Sequence, residues 1–391
     1  MRECDLPILI AGAGCAGLSL AVELGQRDYP GEIIIIDPRT EYGRDRTWCH
    51  YLTRGHSFES CISHRWHRWR VRTDRGEAVA SSNLYPYVQI SSGRFYSKAL
   101  KSIRSTPTQT LKLGVSVQSI EPGSDSVRVT LSDGSTRQVA CVFDSRPNVT
   151  EAAATPDVTL FQQFAGLRVA TDHDAFTPDT TEMMDFRLPQ CGSIRFIYLL
   201  PYSTREALVE ATIFTEKPVD PCILKTAVLD YLKERCAVGH IELIHSEYGC
   251  IPMSTARMEA RTHPRVIRIG LAGGAVKPST GYAFGAIQQA SARLADELSA
   301  GVSPSNVSTP HYRPRRSTFL DDVFLCYLSK HSEKAAEIFR GIFQSCSGDR
   351  IARFLTDSST VADDLHIIAA MPKLPFMLEA FRSFQVWSRA A

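Results

Sequence analysis

Six residues, Gly12-Ala13-Gly14-Cys15-Ala16-Gly17, most sharply limit what this chain can fold into. They follow a short apolar run, Pro7 to Ala11, and lead into a helical apolar pattern of Leu18, Leu20, Ala21, Val22 and Leu24 that ends at Gly25. A second apolar run, Ile33 to Ile36, closes on Asp37, twenty positions after Gly17. Strand, glycine turn, helix and strand in that order, ending on an acid, form the dinucleotide fingerprint of a βαβ unit. Each fixed position has a mechanical reason. Gly12 makes the tight turn, Gly14 lets a pyrophosphate approach the backbone, Gly17 lets the helix pack on the strand, and Asp37 accepts hydrogen bonds from ribose hydroxyls.

The fingerprint alone does not separate NAD from FAD. Its place at the extreme N-terminus, ahead of a long strand-rich middle, is the arrangement of two-domain flavoproteins, an argument by analogy of fold. Residues 61–90 read as strands with interleaved basic and aromatic residues, centred on His64 to Arg70. Trp66 and Trp69 with their flanking arginines suggest base stacking, but a half-buried strand with snorkelling arginines accounts for them better in a nearly neutral chain. Residues 94–103 read as a helix, and 115–120, 127–131 and 138–143 as three strands. Strands follow at 160–169, 182–188, 194–200 and 207–214, then a helix over 222–236 and a strand over 266–269. Beyond it, Gly273-Gly274 and Lys277-Pro278-Ser279-Thr280-Gly281-Tyr282 precede a helix that ends near Leu298. Ser303 to Pro314, rich in serine and proline, reads as a linker to a mainly helical tail.

With 391 residues, the chain is long enough for two or three packing units and an enclosed ligand. A formal net charge of +2 gives no footprint for nucleic acid. Eleven cysteines, none in a CxxC pair, lack the spacing of a zinc knuckle or a redox dithiol, so no metal site is expected. Their odd number and apolar surroundings suit reduced thiols in a cytoplasm. Neither a secretory signal nor a spanning segment is expected from the N-terminal residues.

The chain resembles the flavin-dependent lycopene cyclases of bacteria and plants, the beta-cyclase type. The resemblance rests on residues 11–17 with Asp37, Asp45-Arg46-Thr47-Trp48, Phe143-Asp144, Leu208-Val209-Glu210-Ala211-Thr212, Tyr248 to Met253 and, most specifically, Gly273 to Tyr282. It implies the α/β fold of the flavin hydroxylases, in which a Rossmann-type FAD-binding domain carries a mixed, largely antiparallel substrate sheet and a helical C-terminal region. The expected division is 1–60, 92–157 and 246–310 for the FAD domain, 61–91 and 158–245 for the sheet domain, and 311–391 for the helical region. The implied FAD contacts are Gly12, Gly14, Cys15, Ala16, Gly17 and Asp37. Gly273, Gly274, Pro278, Gly281 and Tyr282 add to them; Arg46 and Thr47, with Trp48, are candidates for flavin contact, with the cavity wall or a conformational role as alternatives. The implied reactant is a hydrophobic polyene or related isoprenoid, with FAD in its reduced form and NAD(P)H as the reductant. One position departs from the family pattern: its acidic pair before a threonine is Glu210 followed by Ala211, which puts the substrate and proton route in doubt.

Cyclising a polyene end requires a proton on carbon, and a carboxyl gives one only if burial keeps it neutral. In an extended strand Glu210 shares its face with Leu208, Thr212 and Phe214, which suits this role. Pairing with Arg205 is the alternative. Phe196 and Tyr198 alternate on one side of a neighbouring strand, where aromatic faces stabilise a carbocation; both also fit a plain core. Three other functions share the scaffold: a prenylated-aromatic cyclase, an oxygen-using hydroxylase or halogenase, and a non-catalytic lipid carrier. Leu271 after Gly270 and the absence of a WxWxIP motif argue against the second. Because the substrate is membrane-dissolved, peripheral contact with the inner face of the membrane is expected. Arg313, Arg315 and Arg316 ahead of Phe319, Leu320, Val323 and Phe324 are the candidate surface, with Leu374 to Leu378 a second. A cap over the cavity is the alternative for both.

Overall fold

The computed structural model describes residues 6–146, 159–236 and 239–390. The expected end of the second FAD-domain segment, 147–157, lies outside them. The glycine unit forms as its pattern requires: β1 (Ile8–Ala11), α1 (Cys15–Gln26) and β2 (Ile33–Asp37), with Ile8 opposite Ile33 in a parallel pair. Every residue of β1 is buried, as a strand covered on both faces demands.

The chain then forms β3 (Thr47–Tyr51), β4 (Ile62–Trp66), β5 (Arg68–Thr73), β6 (Gly76–Ser81) and β7 (Tyr87–Ser91). β3, β7 and β4 make a small antiparallel sheet. Trp66 and Trp69 are buried there and in β5; their indole N–H groups donate to the carbonyls of Pro201 at 2.9 Å and Trp66 at 3.2 Å. The half-buried strand is thus the correct description of the basic aromatic stretch. α2 (Ser92–Arg104) and β8 (Gln109–Leu113) follow, then a hairpin layer of β9 (Val117–Pro122), β10 (Val127–Leu131) and β11 (Thr136–Val139), and β12 (Cys141–Asp144). The run 138–143, expected as one strand, divides at Ala140, because β11 belongs to the hairpin layer and β12 pairs with β1.

A second, seven-stranded sheet carries the middle of the chain. It contains β13 (Thr159–Thr171), β14 (Thr180–Asp185), β15 (Ile194–Pro201), β16 (Glu206–Thr215) and β17 (Ile241–Ser254), in the order β17-β13-β16-β15-β14-β5-β6. One face packs on α3 (Pro221–Arg235) through Leu167, Val209, Ala211 and Ile213. Asp220 caps that helix by accepting the Cys222 amide, and Pro221 starts it. The sheet runs continuously to Ser254, so the domain boundary expected at 246 falls inside β17.

β18 (Arg261–His263) and β19 (Val266–Arg268) complete the six-stranded dinucleotide sheet, in the order β18-β19-β12-β1-β2-β8. α4 (Phe284–Ser299) packs on α1, where Gln288 donates to Ser19 Oγ at 2.8 Å. The tail is helical as expected: α5 (Arg315–Lys330), α6 (Ala335–Ser345), α7 (Gly348–Leu355), α8 (Val361–Ala369) and α9 (Lys373–Ala390).

Two expectations for the tail are corrected. Residues 303–314 are packed rather than a loose linker: Val307 is buried, and the Tyr312 hydroxyl accepts the Gly270 amide at 2.8 Å. The apolar residues of α5 point inward, Val323 and Phe324 being buried and Phe319 packed on the core, so this helix is a cap and not a membrane face. In the other expected contact, Phe376 is buried while Met377 and Leu378 are exposed; the side chains of Leu374 and Pro375 lie outside the described residues.

Candidate active site

A cavity of about 500 Å³ runs between the two large sheets and under the C-terminal helices. That volume is typical of a small-molecule or cofactor site. One end is the glycine fingerprint. Gly12 turns at a φ of +93°, a left-handed conformation that favours glycine. A side chain on Gly17 would overlap the Gly12 carbonyl, whereas a Cβ on Gly14 would meet nothing within 4 Å. The space before Gly14 is therefore free, and no side chain caps the amides of α1. Asp37 Oδ2 accepts the Ala13 amide at 2.6 Å, and its Oδ1 accepts the Arg39 guanidinium at 3.0 Å. Arg39 lies 5.0 Å from the Tyr42 ring centroid and 5.7 Å from that of Tyr96. An open backbone cradle, uncapped amides and a fixed acid fit a dinucleotide.

The cavity continues past Cys15, Arg46, Thr47 and Trp48 to Gly281 and Tyr282. Burial pushes the Cys15 thiol up to about 12, which keeps it an inert neutral wall. Ala16 is buried in α1 behind it. Gly273, Gly274 and Pro278 do not line the cavity; they build the turn behind it, where a Cβ on Gly273 would overlap the Arg268 carbonyl. The helix expected after this turn begins at Phe284, and Phe284 and Ile287 reach the cavity.

The far end is the sheet face carrying Glu210. Strand register places Tyr198, Glu210, Gly166 and Glu247 in one row across β15, β16, β13 and β17. The next row holds Phe196, Thr212, Phe164 and Gly249, where a side chain on Gly249 would overlap the Phe164 ring. The predicted neighbours Leu208, Thr212 and Phe214 do share the face with Glu210, and Phe196 and Tyr198 line the same cavity. Glu210 is 8% exposed and Glu247 is 9%. Arg205, the alternative partner of Glu210, instead pairs with Asp174 at 2.7 Å.

Burial raises Glu210 well above the ordinary carboxyl value, and the charge of Glu247 and a hydrogen bond with it raise it further. Burial likewise raises Tyr198, with Cys49, Tyr87 and Tyr282 adding to the effect. The Tyr282 hydroxyl donates to that of Tyr87 at 3.3 Å, and the Tyr87 and Tyr198 rings meet edge-on at 6.2 Å. The site is thus a neutral acid among neutral phenols and aromatic faces.

The roof is supplied by α5 to α8, through Phe324, Phe339, Phe343, Phe354 and Ile367. Lys277 fastens it to the turn beneath, with Nζ 2.8 Å from Asp321 Oδ1 and 2.6 Å from Asp357 Oδ1. Arg39, Phe164, Gly166 and Glu247 were not singled out from the sequence. Glu247 carries no such signal in the sequence, because only the register of β13 brings it and Glu210 to either side of Gly166.

Residues 7–380 match the family model described as lycopene cyclase protein. The chain is 25% identical to a lycopene beta-cyclase of Pseudescherichia vulneris, with 96% of each covered. It is 27% identical to one of a Paracoccus species, over 64% of this chain and 66% of that protein. Among solved structures it is similar to Klebsiella pneumoniae HpxO complexed with FAD and uric acid, at a TM-score of 0.63 and 15% identity over 90% of this chain and 96% of that one. It is also similar to a geranylgeranyl bacteriochlorophyll reductase-like protein of Thermoplasma acidophilum, at a TM-score of 0.61 and 14% identity over 97% and 99%. These likenesses show the fold, which is the flavin hydroxylase architecture expected. Matched by the family model over nearly its whole length, and carrying a glycine cradle and a buried acid at opposite ends of one cavity, the chain belongs to the lycopene cyclase family.

Proposed function

We propose that this protein cyclises the end group of a linear, lycopene-like polyene without net redox change, with Glu210 as the acid. The observation that carries this reading is the buried carboxyl of Glu210, held toward its neutral form on an aromatic cavity wall. Its proton goes to the terminal C=C bond, leaving a tertiary cation. The neighbouring C=C bond attacks that cation to close the ring, and an adjacent C–H bond then gives up its proton. The faces of Phe196 and Tyr198 stabilise the cation by about 0.5–2 kcal/mol per favourable contact. The phenol of Tyr198 stays protonated and neutral, which suits a wall that must not trap the cation. The aromatic roof excludes the water that would quench it.

Gly12, Gly14, Gly17 and Asp37 would hold FAD at the other end, with Arg46, Thr47, Gly281 and Tyr282 along its length. Once bound and reduced, with NAD(P)H as the donor, that flavin would supply a negative charge to offset the cation. Among the described residues no helix is long and apolar enough to cross a membrane. The polyene is dissolved in a bilayer, and α8 and α9, rather than α5, carry the exposed apolar side chains suited to meet it.

The deciding experiment is pigment chromatography of a lycopene-accumulating bacterial host expressing the chain or its Glu210→Gln variant. Cyclic carotene is expected with the unmodified chain and lost with the variant, while FAD stays bound to both. Persistence of lycopene with the flavin-loaded wild-type protein would redirect the search to shorter isoprenoids, and activity in Glu210→Gln would remove the acid assignment.

A further inference from the structure

We propose that Glu247 is the second carboxyl of an acid–base pair with Glu210: it holds the proton on Glu210 between turnovers and receives the proton released at ring closure. This rests on Glu210 being the acid of the proposed cyclisation.

The geometry carries the pair. Glu210 in β16 and Glu247 in β17 both stand opposite Gly166 in the strand between them. A Cβ at position 166 would lie 2.8 Å from Glu210 Oε1, 3.0 Å from Glu210 Cγ and 3.1 Å from Glu247 Cγ. The two acids therefore meet over the one residue that has no side chain to part them. Both open on the cavity. Glu247 Oε1 is buried with no hydrogen-bond partner, and among the described residues neither carboxyl has an ion-pair partner. The titratable groups around the pair are Cys49 from β3, Tyr87 from β7, Tyr198 from β15, and Tyr202 and Tyr282 from the adjoining loops. Burial raises each of these above its ordinary value, so they stand as neutral neighbours. Position 211, where the family pattern has its second acid, faces the opposite side of the sheet, toward α3. A carboxyl there would not reach the cavity; Glu247 does.

Two buried carboxyls that meet over Gly166 and share a hydrogen bond cannot both ionise at low cost, so the pair retains one proton. The cycle then balances within it. The Glu210 O–H bond breaks as a C–H bond forms at the polyene terminus. The π electrons of the neighbouring C=C bond form the ring bond. The adjacent C–H bond breaks, its electron pair becomes the ring double bond, and the proton passes to Glu247 and back to Glu210. No oxidant, reductant or net proton is consumed.

The test pairs infrared titration of the buried carboxylic acid with pH–rate profiles, on flavin-loaded wild-type, Glu210→Gln, Glu247→Gln and Glu247→Asp proteins. Flavin absorbance establishes that each variant is folded. The protonated-carboxyl band of the wild type is expected to persist through neutral pH and to vanish in Glu210→Gln. In Glu247→Gln its midpoint should fall by about one pH unit or more, because a neighbouring negative charge is gone. Turnover of Glu247→Gln should drop about 100-fold, the scale of general-base loss, with Glu247→Asp recovering part of it. A Glu247→Gln midpoint equal to wild type overturns the proton-holding role. Turnover equal to wild type overturns the proton-return role. If the wild type cyclises no polyene, the activity reading has failed, while the infrared midpoint still decides whether the carboxyls act as a pair.

Discussion

Glu210 sits where burial and the neighbouring Glu247 favour its protonated form, and that has a consequence for the fold as well as for the chemistry. Its affinity for a proton is raised on folding, from an ordinary value near 4.5. Between that value and the raised one, the folded state binds more protons than the unfolded state, so stability falls as pH rises. One such group changes stability by up to about 1.4 kcal/mol per pH unit within that window. Urea unfolding of wild type at about pH 5 and about pH 8 should show this loss, and Glu210→Gln should flatten it; equal slopes would place the proton elsewhere. The face of Glu210 was legible in the sequence because strand alternation fixes which residues share a side, and Leu208, Thr212, Phe214, Phe196 and Tyr198 all fell where alternation puts them. Glu247 was not legible, because its nearness depends on the register of β13, whose own residue at the crossing is a glycine with no chemistry to read.

At the scale of elements, the β1–α1–β2 unit was the most legible part of the chain. Its glycines answer to local geometry that any βαβ turn imposes. Gly14→Val should fill the open space in front of the α1 amides and lose FAD, read as a protein purified without flavin absorbance but with unchanged far-UV dichroism. Retained flavin would show that the cradle lies elsewhere. The C-terminal elements were misread for a physical reason: composition does not reveal packing. The serines and prolines of 303–314 suggest a linker, yet Tyr312 bonds Gly270, and Arg313 donates to the carbonyls of Gly274 and Ala275 at 3.0 and 2.9 Å. The arginines ahead of apolar α5 suggest a membrane face, yet the helix turns Val323 and Phe324 inward. Lys277 ties α5 and the turn after α7 to the loop beneath. Burial alone would lower its proton affinity, but Asp321 and Asp357 more than offset that. Lys277→Met should leave the buried Asp321 without a cation and Asp357 with Arg313 alone, at a cost of about 3–5 kcal/mol, measured by denaturant unfolding. A change within about 0.5 kcal/mol would mean the latch is dispensable.

At the scale of the whole molecule, α8 and α9 reverse the usual arrangement of an amphipathic helix. Their acids face inward: Asp363 pairs with Arg350 and Arg353, Asp364 with Arg316, and Glu379 with Lys330 and Arg382. Their apolar residues face out, with Val361, Leu365 and Ile368 at helical spacing on α8, and Met377, Leu378, Phe381 and Phe384 on α9. Burying such side chains in lipid is worth about 1.5–3 kcal/mol each when complete, and the acids held inward take no part in that contact. The other faces of these helices adjoin the cavity roof, to which α8 contributes Ile367. A polyene leaving the bilayer at this surface would thus arrive beside the roof without crossing water. Replacing Met377, Leu378, Phe381 and Phe384 with serine should abolish flotation with phosphatidylcholine vesicles. The same change should slow turnover of vesicle-borne polyene at least about tenfold while leaving turnover of detergent-dispersed polyene within about twofold, since none of the four lines the cavity. Unchanged flotation would remove these helices as the contact, and equal losses on both substrates would show that α9 supports the site itself rather than its supply.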